Sequence, residues 1–162
     1  MTVLIAYGSK RGGTAGLADM IGGELVALGI PVDVHPAAEV RSVDGYQAVI
    51  LAGALYNARW HRDARRFAGR HRAALQQVPV WLVASGPLDD SADAGTVPPV
   101  RQVARIAQDL GALGTVTFGG RLTPDAKGFI ASAMAKTKAG DWRNPAQVRA
   151  FAATVAEQQT TV

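Results

Sequence analysis

Residues 3–14 decide the fold, because VLIAYGSKRGGT joins a strand-like run to a glycine-rich loop and then to a helix. Residues 3–7 are a short β-branched and aromatic run that stops at Gly8, which is typical of a buried parallel strand. Residues 14–28 place apolar side chains at helical spacing and end before Gly29, a residue favoured at helix C-caps. The order of strand, loop and helix indicates the first unit of an α/β domain.

The same alternation continues along the chain. Apolar runs predict further strands at 31–35, 48–52, 80–84 and 115–118, and amphipathic stretches predict helices at 62–77 and 100–113. Thr123-Pro124 and Asn144-Pro145 each place a capping side chain before a proline, so each predicts a helix start, and the last helix ends near Gln158. This pattern predicts a three-layer, doubly wound, five-stranded parallel sheet of the α/β class, in the order 2-1-3-4-5.

Length and composition narrow the class of protein. The 162 residues suit one domain spanning 1–162, and the 48% hydrophobic content indicates a globular chain. The absence of cysteine excludes a disulfide scaffold, cysteine-based metal sites and a cysteine nucleophile. The net charge of +4 favours anionic partners in general. No basic segment precedes the first strand and no apolar stretch approaches the ~20 residues of a membrane span, so we expect a cytoplasmic protein.

Ligands of such a sheet bind beyond the carboxyl ends of its strands, so the loops after Tyr7, Ala52 and Ala84 are the candidate sites. In the first loop, glycines, hydroxyl groups and a helix N-terminus together suit a phosphate. The loop matches neither the P-loop, which requires lysine after its last glycine, nor the dinucleotide fingerprint, which requires glycine at position 10. The alternative is a plain glycine-rich turn between strand and helix.

The first loop resembles the flavin-phosphate loop of flavodoxins, a Ser/Thr-x-Thr-Gly-x-Thr pattern. Ser9, Gly12 and Thr14 match this pattern, whereas Arg11 replaces the middle hydroxyl residue. That replacement resembles the menaquinone-dependent protoporphyrinogen oxidase branch of the flavodoxin-like superfamily. The resemblance implies that the phosphate of FMN is bound by Ser9, Lys10, Arg11, Gly12, Gly13 and Thr14.

The second loop, after the third strand, also resembles flavodoxins, in which this loop presents an aromatic residue to the flavin ring. The resemblance implies flavin contacts from Ala54, Leu55, Tyr56, Asn57, Ala58 and Trp60, with flat faces from Tyr56 and Trp60. For Trp60 the alternative is that the indole packs at the start of the next helix.

In the third loop the flavin would meet Ser85, Gly86 and Pro87. Flavodoxins that carry electrons usually place a tyrosine here and this loop has none, so one flavin face would stay open to a substrate or partner. Asp89 and Asp90 are either solvated loop acids or a general acid/base pair, and no catalytic residue is assigned.

Arg59, Arg62, Arg66 and Arg70 fall on one helical face. One interpretation is a solvated basic face. The other is a binding surface for an anionic partner or for the acidic tail of a cofactor. Few aromatic residues lie between these arginines and no nucleic-acid-binding module is present, so no nucleic-acid partner is predicted. The three histidines lack metal-ligand spacing, so no metal is predicted, and the short basic segment 122–143 does not predict membrane docking.

The resemblance therefore implies a flavodoxin-like, FMN-binding redox protein that transfers electrons or hydride, with an anionic redox partner or small-molecule substrate. Because soluble flavodoxin carriers are typically acidic, a pI near 9.9 favours an enzyme or a carrier whose partner is anionic. Three alternatives stay open: an enzyme similar to protoporphyrinogen oxidase, a domain that binds a deazaflavin with a polyglutamate tail, and a non-catalytic scaffold.

Overall fold

The computed structural model describes residues 2–8, 13–56, 59–86, 99–118, 121–122, 140–141 and 145–160. Within these ranges the strands are β1 (Thr2–Gly8), β2 (Val32–Pro36), β3 (Tyr46–Tyr56), β4 (Arg59–Trp60), β5 (Val80–Ser85), β6 (Gly114–Phe118), β7 (Arg121–Leu122) and β8 (Gly140–Asp141). The α-helices are α1 (Gly13–Ala27), α2 (Arg62–Arg70), α3 (Arg72–Leu75), α4 (Arg101–Leu110) and α5 (Pro145–Thr160), and Ala37–Glu39 forms a 3-10 helix. The helix predicted after Thr123-Pro124 lies outside the described residues.

Five parallel strands form the central sheet in the order β2-β1-β3-β5-β6. Numbered among themselves, these strands have the order 2-1-3-4-5, which confirms the predicted topology. The short β4 pairs antiparallel with the end of β3, and β7 pairs with β8 in a separate two-stranded sheet. The strand order reverses between β1 and β3, so the carboxyl ends of these two strands open the crevice where doubly wound proteins bind ligands.

Helices cover both faces of the sheet because successive residues of each strand point to opposite sides. Leu4 and Leu51 belong to the core under α2, α3 and α4. Ile5 and Ile50 belong to the core under α1 and α5. Burial on both faces explains why the central strands are continuous apolar runs in the sequence.

The predicted helix at 62–77 is two helices in the structure. The chain leaves the helical conformation at His71 (φ −107°), between α2 and α3. Gly69 weakens the end of α2, since glycine is a poor helix former. The Arg70 guanidinium donates to the Ala37 and Val40 carbonyls at 3.2 and 3.5 Å, which ties this end of the helix to the 3-10 segment.

The third strand is longer than the predicted 48–52. It continues to Tyr56 and then pairs with Arg59–Trp60, where Leu55 lies opposite Trp60 and Tyr56 opposite Arg59. The segment predicted as an open loop after the third strand is therefore a β-hairpin. Its antiparallel pairing comes from backbone hydrogen bonding across two short segments, and apolar periodicity does not report such pairing.

Candidate functional site

The N-terminus of α1 lies at the carboxyl end of β1, beside the point where the strand order reverses. The first N–H groups of a helix have no partner within the helix, and together with the helix dipole they favour an anion at this position. Thr14 is the second residue of the helix and is 1% exposed. Gly13 begins the helix, while Ser9, Lys10, Arg11 and Gly12 lie outside the described residues.

A buried hydrogen bond joins the first and third predicted loops. Thr14 Oγ1 lies 3.1 Å from Ser85 Oγ, although the two residues are 71 positions apart in the chain. Ser85 is the last residue of β5 and is 6% exposed. Each hydroxyl has one proton, so one of the two donates in this bond and the other keeps its proton for a further acceptor. The sequence predicted both residues as site residues, and the structure brings them together.

The β3–β4 hairpin packs closely over the strand ends. A Cβ atom on Gly53 would lie 2.4 Å from Trp60 Nε1, and one on Gly8 would lie 2.9 Å from His61 Nδ1. Both distances are shorter than van der Waals contact, so these positions at the ends of β3 and β1 admit only glycine without rearrangement. Glycine at the two strand ends therefore lets the hairpin and the start of α2 close over one face of the crevice.

Trp60 is a core residue of this hairpin. Its side chain is 1% exposed, and the indole N–H donates to the carbonyls of Gly53 at 3.0 Å and Val83 at 3.2 Å. The indole thereby bridges the carboxyl ends of β3 and β5. This arrangement agrees with the alternative that Trp60 packs at the start of the next helix.

The other predicted residues of the second loop belong to the end of β3. Ala54 is 7% exposed, Leu55 is partly exposed, and Tyr56 is the last residue of the strand. Asn57 and Ala58, which connect the two strands of the hairpin, lie outside the described residues.

In the third loop, the backbone N–H of Gly86 donates to the Phe118 carbonyl at 3.1 Å, which continues the pairing of β5 with β6. A Cβ atom on Gly86 would lie 3.0 Å from Leu55, so this glycine also fits closely against the hairpin. Pro87, Asp89 and Asp90 lie outside the described residues.

Two residues that hold the hairpin escaped the sequence analysis. Gln102 of α4 accepts a hydrogen bond from the Trp60 backbone N–H at 2.7 Å. His61 caps α2, since its Nδ1 accepts from the Asp63 N–H at 3.0 Å. Histidine is not among the residues favoured at N-caps, so its residue type alone does not signal this cap. Nothing in the sequence links Gln102 to Trp60, because that contact requires α4 to lie against β4.

The predicted arginine row divides into two groups. Arg59, Arg62 and Arg66 are exposed, whereas Arg70 is bound to the backbone of the 3-10 segment. Nearby, Arg72 donates to both carboxylate oxygens of Asp109 at 2.8 Å, and this hydrogen bond lowers the pKa of Asp109. Arg70 and Arg72 therefore have structural roles that their spacing did not reveal.

The described ranges hold neither a metal-binding cluster nor a helix suited to cross a membrane. No group of three or more His, Cys, Asp or Glu side chains there is arranged to hold a metal ion. Among those same residues, no helix combines the length and apolar character needed to cross a membrane.

The parallel sheet, its strand order and the anion-favouring helix end at the switch point define the chain as a flavodoxin-like α/β protein. Residues 4–137 match the family described as Flavodoxin domain, and the chain belongs to this family. Membership implies FMN as the cofactor, and the crevice fits a phosphate group because a helix N-terminus and two buried hydroxyls meet there.

Solved flavodoxins have the same fold. The flavodoxin of Streptococcus pneumonia TIGR4 is 18% identical with a TM-score of 0.61, covering 98% of this chain and 99% of its own. Oxidised flavodoxin 2 from Bacillus cereus is 16% identical with a TM-score of 0.60, covering 98% and 99%. A point mutant of the Pseudomonas aeruginosa flavodoxin is 16% identical with a TM-score of 0.59, covering 94% and 97%. No curated protein sequence matches the chain.

Proposed function

We propose that the chain is a cytoplasmic FMN-binding oxidoreductase whose cofactor phosphate is held by residues 9–14. The observation that carries this proposal is the buried Thr14–Ser85 hydroxyl pair at the N-terminus of α1. Burial of two hydroxyls beside an anion-favouring helix end suits a phosphate, which accepts several hydrogen bonds.

Each loop has a separate role in this proposal. Ser9–Gly12 supply backbone and side-chain donors to the phosphate, Tyr56 supplies a flat face to the ring, and residues 85–87 meet its other side through the backbone. The bound flavin supplies the electron- or hydride-transfer chemistry, while the chain supplies binding, orientation and electrostatics.

The hydroxyl pair acts in a defined direction. Thr14 lies in the first turn of α1, where the phosphate would bind, so in this proposal Thr14 donates its proton to the phosphate and Ser85 donates to Thr14. Thr14 is then a binding residue and Ser85 a positioning residue. This polarity predicts that loss of Thr14 costs more FMN affinity than loss of Ser85.

The test is titration of the purified chain with FMN, followed by quenching of flavin fluorescence. We expect a micromolar or tighter Kd, and weaker binding of riboflavin, which lacks the phosphate. A hydrogen bond to a charged group contributes ~1.5–3 kcal/mol, so Thr14→Val should lower FMN affinity by at least about tenfold. Ser85→Ala should lower it less, and neither variant should change riboflavin affinity.

The matched control is Thr154→Val, which makes the same substitution on the exposed surface of α5, where Thr154 donates only to its own helix. This variant should bind FMN as the unmodified chain does. Absence of micromolar FMN binding would refute the proposed function. Equal losses of FMN and riboflavin affinity in Thr14→Val would refute the assignment of Thr14 to the phosphate.

A second candidate is an enzyme similar to protoporphyrinogen oxidase, which would take an anionic porphyrinogen. The exposed Arg59 and Arg62 beside the hairpin favour it, because porphyrinogens carry carboxylates. Porphyrinogen-dependent reduction of the flavin under anaerobic conditions is expected for this enzyme. The visible absorption spectrum of the purified protein separates FMN from a deazaflavin and from a scaffold without cofactor.

A further inference from the structure

Helices α2 and α4 carry matching pairs of arginines on the same side of the sheet. Arg62 and Arg101 are the first residues of the two helices, and Arg66 and Arg105 follow four residues later. All four are exposed, and together they are called the arginine face below. Both helices cover the same face of the sheet, since Phe67 of α2 and Val103 of α4 belong to one core, and the Arg72–Asp109 ion pair joins α3 to α4.

The four arginines point away from the sheet. In α2 the buried residues are Ala64, Phe67 and Ala68, and in α4 they are Val103 and Leu110. At 100° per residue, each arginine pair lies opposite the buried side of its own helix. Residues four apart are separated by ~6 Å along a helix, so the two guanidinium groups on each helix span more than one carboxylate.

These arginines have no intramolecular function that the structure shows. Within the described part of the chain, none of the four has a hydrogen bond or ion pair, in contrast to Arg70 and Arg72. A cation in the first turn of a helix is also unfavourable to the helix dipole. The arginine face therefore lowers the stability of the two helices on which it lies.

Charge is concentrated on this side of the molecule. The elements β4, α2, α3 and α4 contain eight arginines, no lysine and two aspartates, a net charge of +6. The whole chain has +4, so all other residues sum to −2. A surface of this kind attracts an anionic partner over about a Debye length and weakens with salt.

We propose that the arginine face is the docking surface for an acidic protein that exchanges electrons with the chain, an inference that rests on the proposed function. Guanidinium groups bind carboxylates in a bidentate manner, which suits an acidic protein surface. Both helices begin at the carboxyl end of the sheet, so a protein bound there lies beside the crevice. Arg59, in the strand that precedes α2, is exposed as well.

Other anionic partners fit this surface less well. The large exposed apolar residues of the described chain are Val26, Leu28 and Leu113, and all three lie outside these elements, so the face has no apolar side chain to insert into a membrane. Trp60 and Phe67, the aromatic residues of β4 and α2, are buried and unable to stack on bases.

The experiment measures binding of a fluorescently labelled acidic [2Fe–2S] ferredoxin to the full chain, with and without FMN, by anisotropy at low salt. Arg62→Gln/Arg101→Gln should weaken binding about tenfold, because each exposed pair contributes up to ~1 kcal/mol. The matched control is Arg41→Gln/Arg149→Gln, which removes the same charge at exposed positions outside these elements. We expect less than a twofold change in this control, and binding by the unmodified chain should weaken as salt is added.

Equal weakening in the two double variants would overturn the proposal, because net charge alone would then explain binding. Tighter binding of a duplex DNA, of phosphatidylglycerol vesicles or of a pentaglutamate peptide than of ferredoxin, lost in Arg62→Gln/Arg101→Gln, would also overturn it. FMN affinity should be equal in both double variants and the unmodified chain. If FMN does not bind at all, the proposed function fails, while ferredoxin binding by the chain without cofactor still reports on the arginine face.

Discussion

The two helical layers of the sheet differ in charge although their cores are alike. The layer of α1 and α5 carries one arginine, two glutamates and one aspartate, a net charge of −2. The layer of β4, α2, α3 and α4 carries +6. Both bury Leu, Val, Ala and aromatic side chains against the same strands. Because both layers cover the sheet with similar apolar side chains, packing does not explain why only one layer is rich in arginine.

The layers also contribute different parts of the crevice. The α1 layer provides a helix N-terminus and the Thr14 hydroxyl, both suited to an anion. The opposite layer provides the hairpin, whose Trp60 and His61 fill space left by glycines at the strand ends. We therefore expect the α1 layer to govern affinity for the phosphate of FMN. We expect the opposite layer to govern the shape of the site that holds the flavin ring.

The largest effect is expected for Gly53→Ala, which places a Cβ atom 2.4–2.8 Å from three atoms of the Trp60 indole. The rigid indole is buried and held by two carbonyls. We expect a loss of ~3 kcal/mol or more in the free energy of unfolding, measured by urea denaturation.

The control for Gly53→Ala is Gly23→Ala in the opposite layer. Gly23 lies inside α1, and a Cβ atom there would meet nothing within 4 Å. Alanine is the better helix former, so this variant should gain ~0.5–1 kcal/mol. A small loss in Gly53→Ala would contradict the close packing of the hairpin.

Trp60→Phe tests whether Trp60 belongs to the core or faces the flavin. Phenylalanine keeps an aromatic ring but leaves the Gly53 and Val83 carbonyls without the indole donor. Buried groups that lose a partner cost ~1–3 kcal/mol, so we expect a loss of about 2 kcal/mol in unfolding free energy.

FMN affinity of folded Trp60→Phe should stay within about threefold of the unmodified chain, a difference below ~0.7 kcal/mol. Phe151→Leu in the opposite layer, where Phe151 packs edge-on against Phe118 at 5.9 Å, is the matched core variant. It should lose stability without any change in FMN affinity. A stable Trp60→Phe protein with strongly weakened FMN binding would instead place the indole against the flavin.

Sequence patterns predicted the sheet well because strands buried on both faces are continuous apolar runs, such as residues 48–52. Sequence patterns also predicted Thr14 and Ser85 as site residues. Thr14 comes after the first apolar run and Ser85 comes directly after the run at 80–84, at the edge of a doubly wound sheet where ligands bind. The hairpin, the break at His71 and the Trp60–Gln102 hydrogen bond were missed. These features depend on pairing and contacts between distant segments, and local periodicity carries no information about such contacts.

A smaller effect is expected on the stability of the arginine layer. Arg62→Gln/Arg101→Gln removes a cation from the first turn of each helix, where the dipole disfavours it by ~0.3–1 kcal/mol. We therefore expect a small gain in unfolding free energy, measured by urea denaturation at low salt and reduced at high salt. Arg149→Gln, which removes the only arginine of the opposite layer, should show no gain, since that layer is already acidic. A loss of stability in Arg62→Gln/Arg101→Gln would mean that these side chains have a structural role.

The smallest effect concerns His71, at the break between α2 and α3. Burial, followed by the charge of Arg70, lowers the pKa of His71 below its usual 6.5 in the folded chain. As the pH falls through 6.5, the unfolded chain takes up a proton before the folded chain does, so this contribution to stability is present above pH 6.5 and decreases below it. Thermal unfolding between about pH 7.5 and pH 5.5 should show a lowering of Tm that His71→Gln reduces. Gln77→Asn, which replaces an exposed side chain that does not titrate, is the control and should keep the slope of the unmodified chain. An unchanged slope in His71→Gln would mean that the imidazole gains a proton equally in both states, and that Arg70 does not act on it.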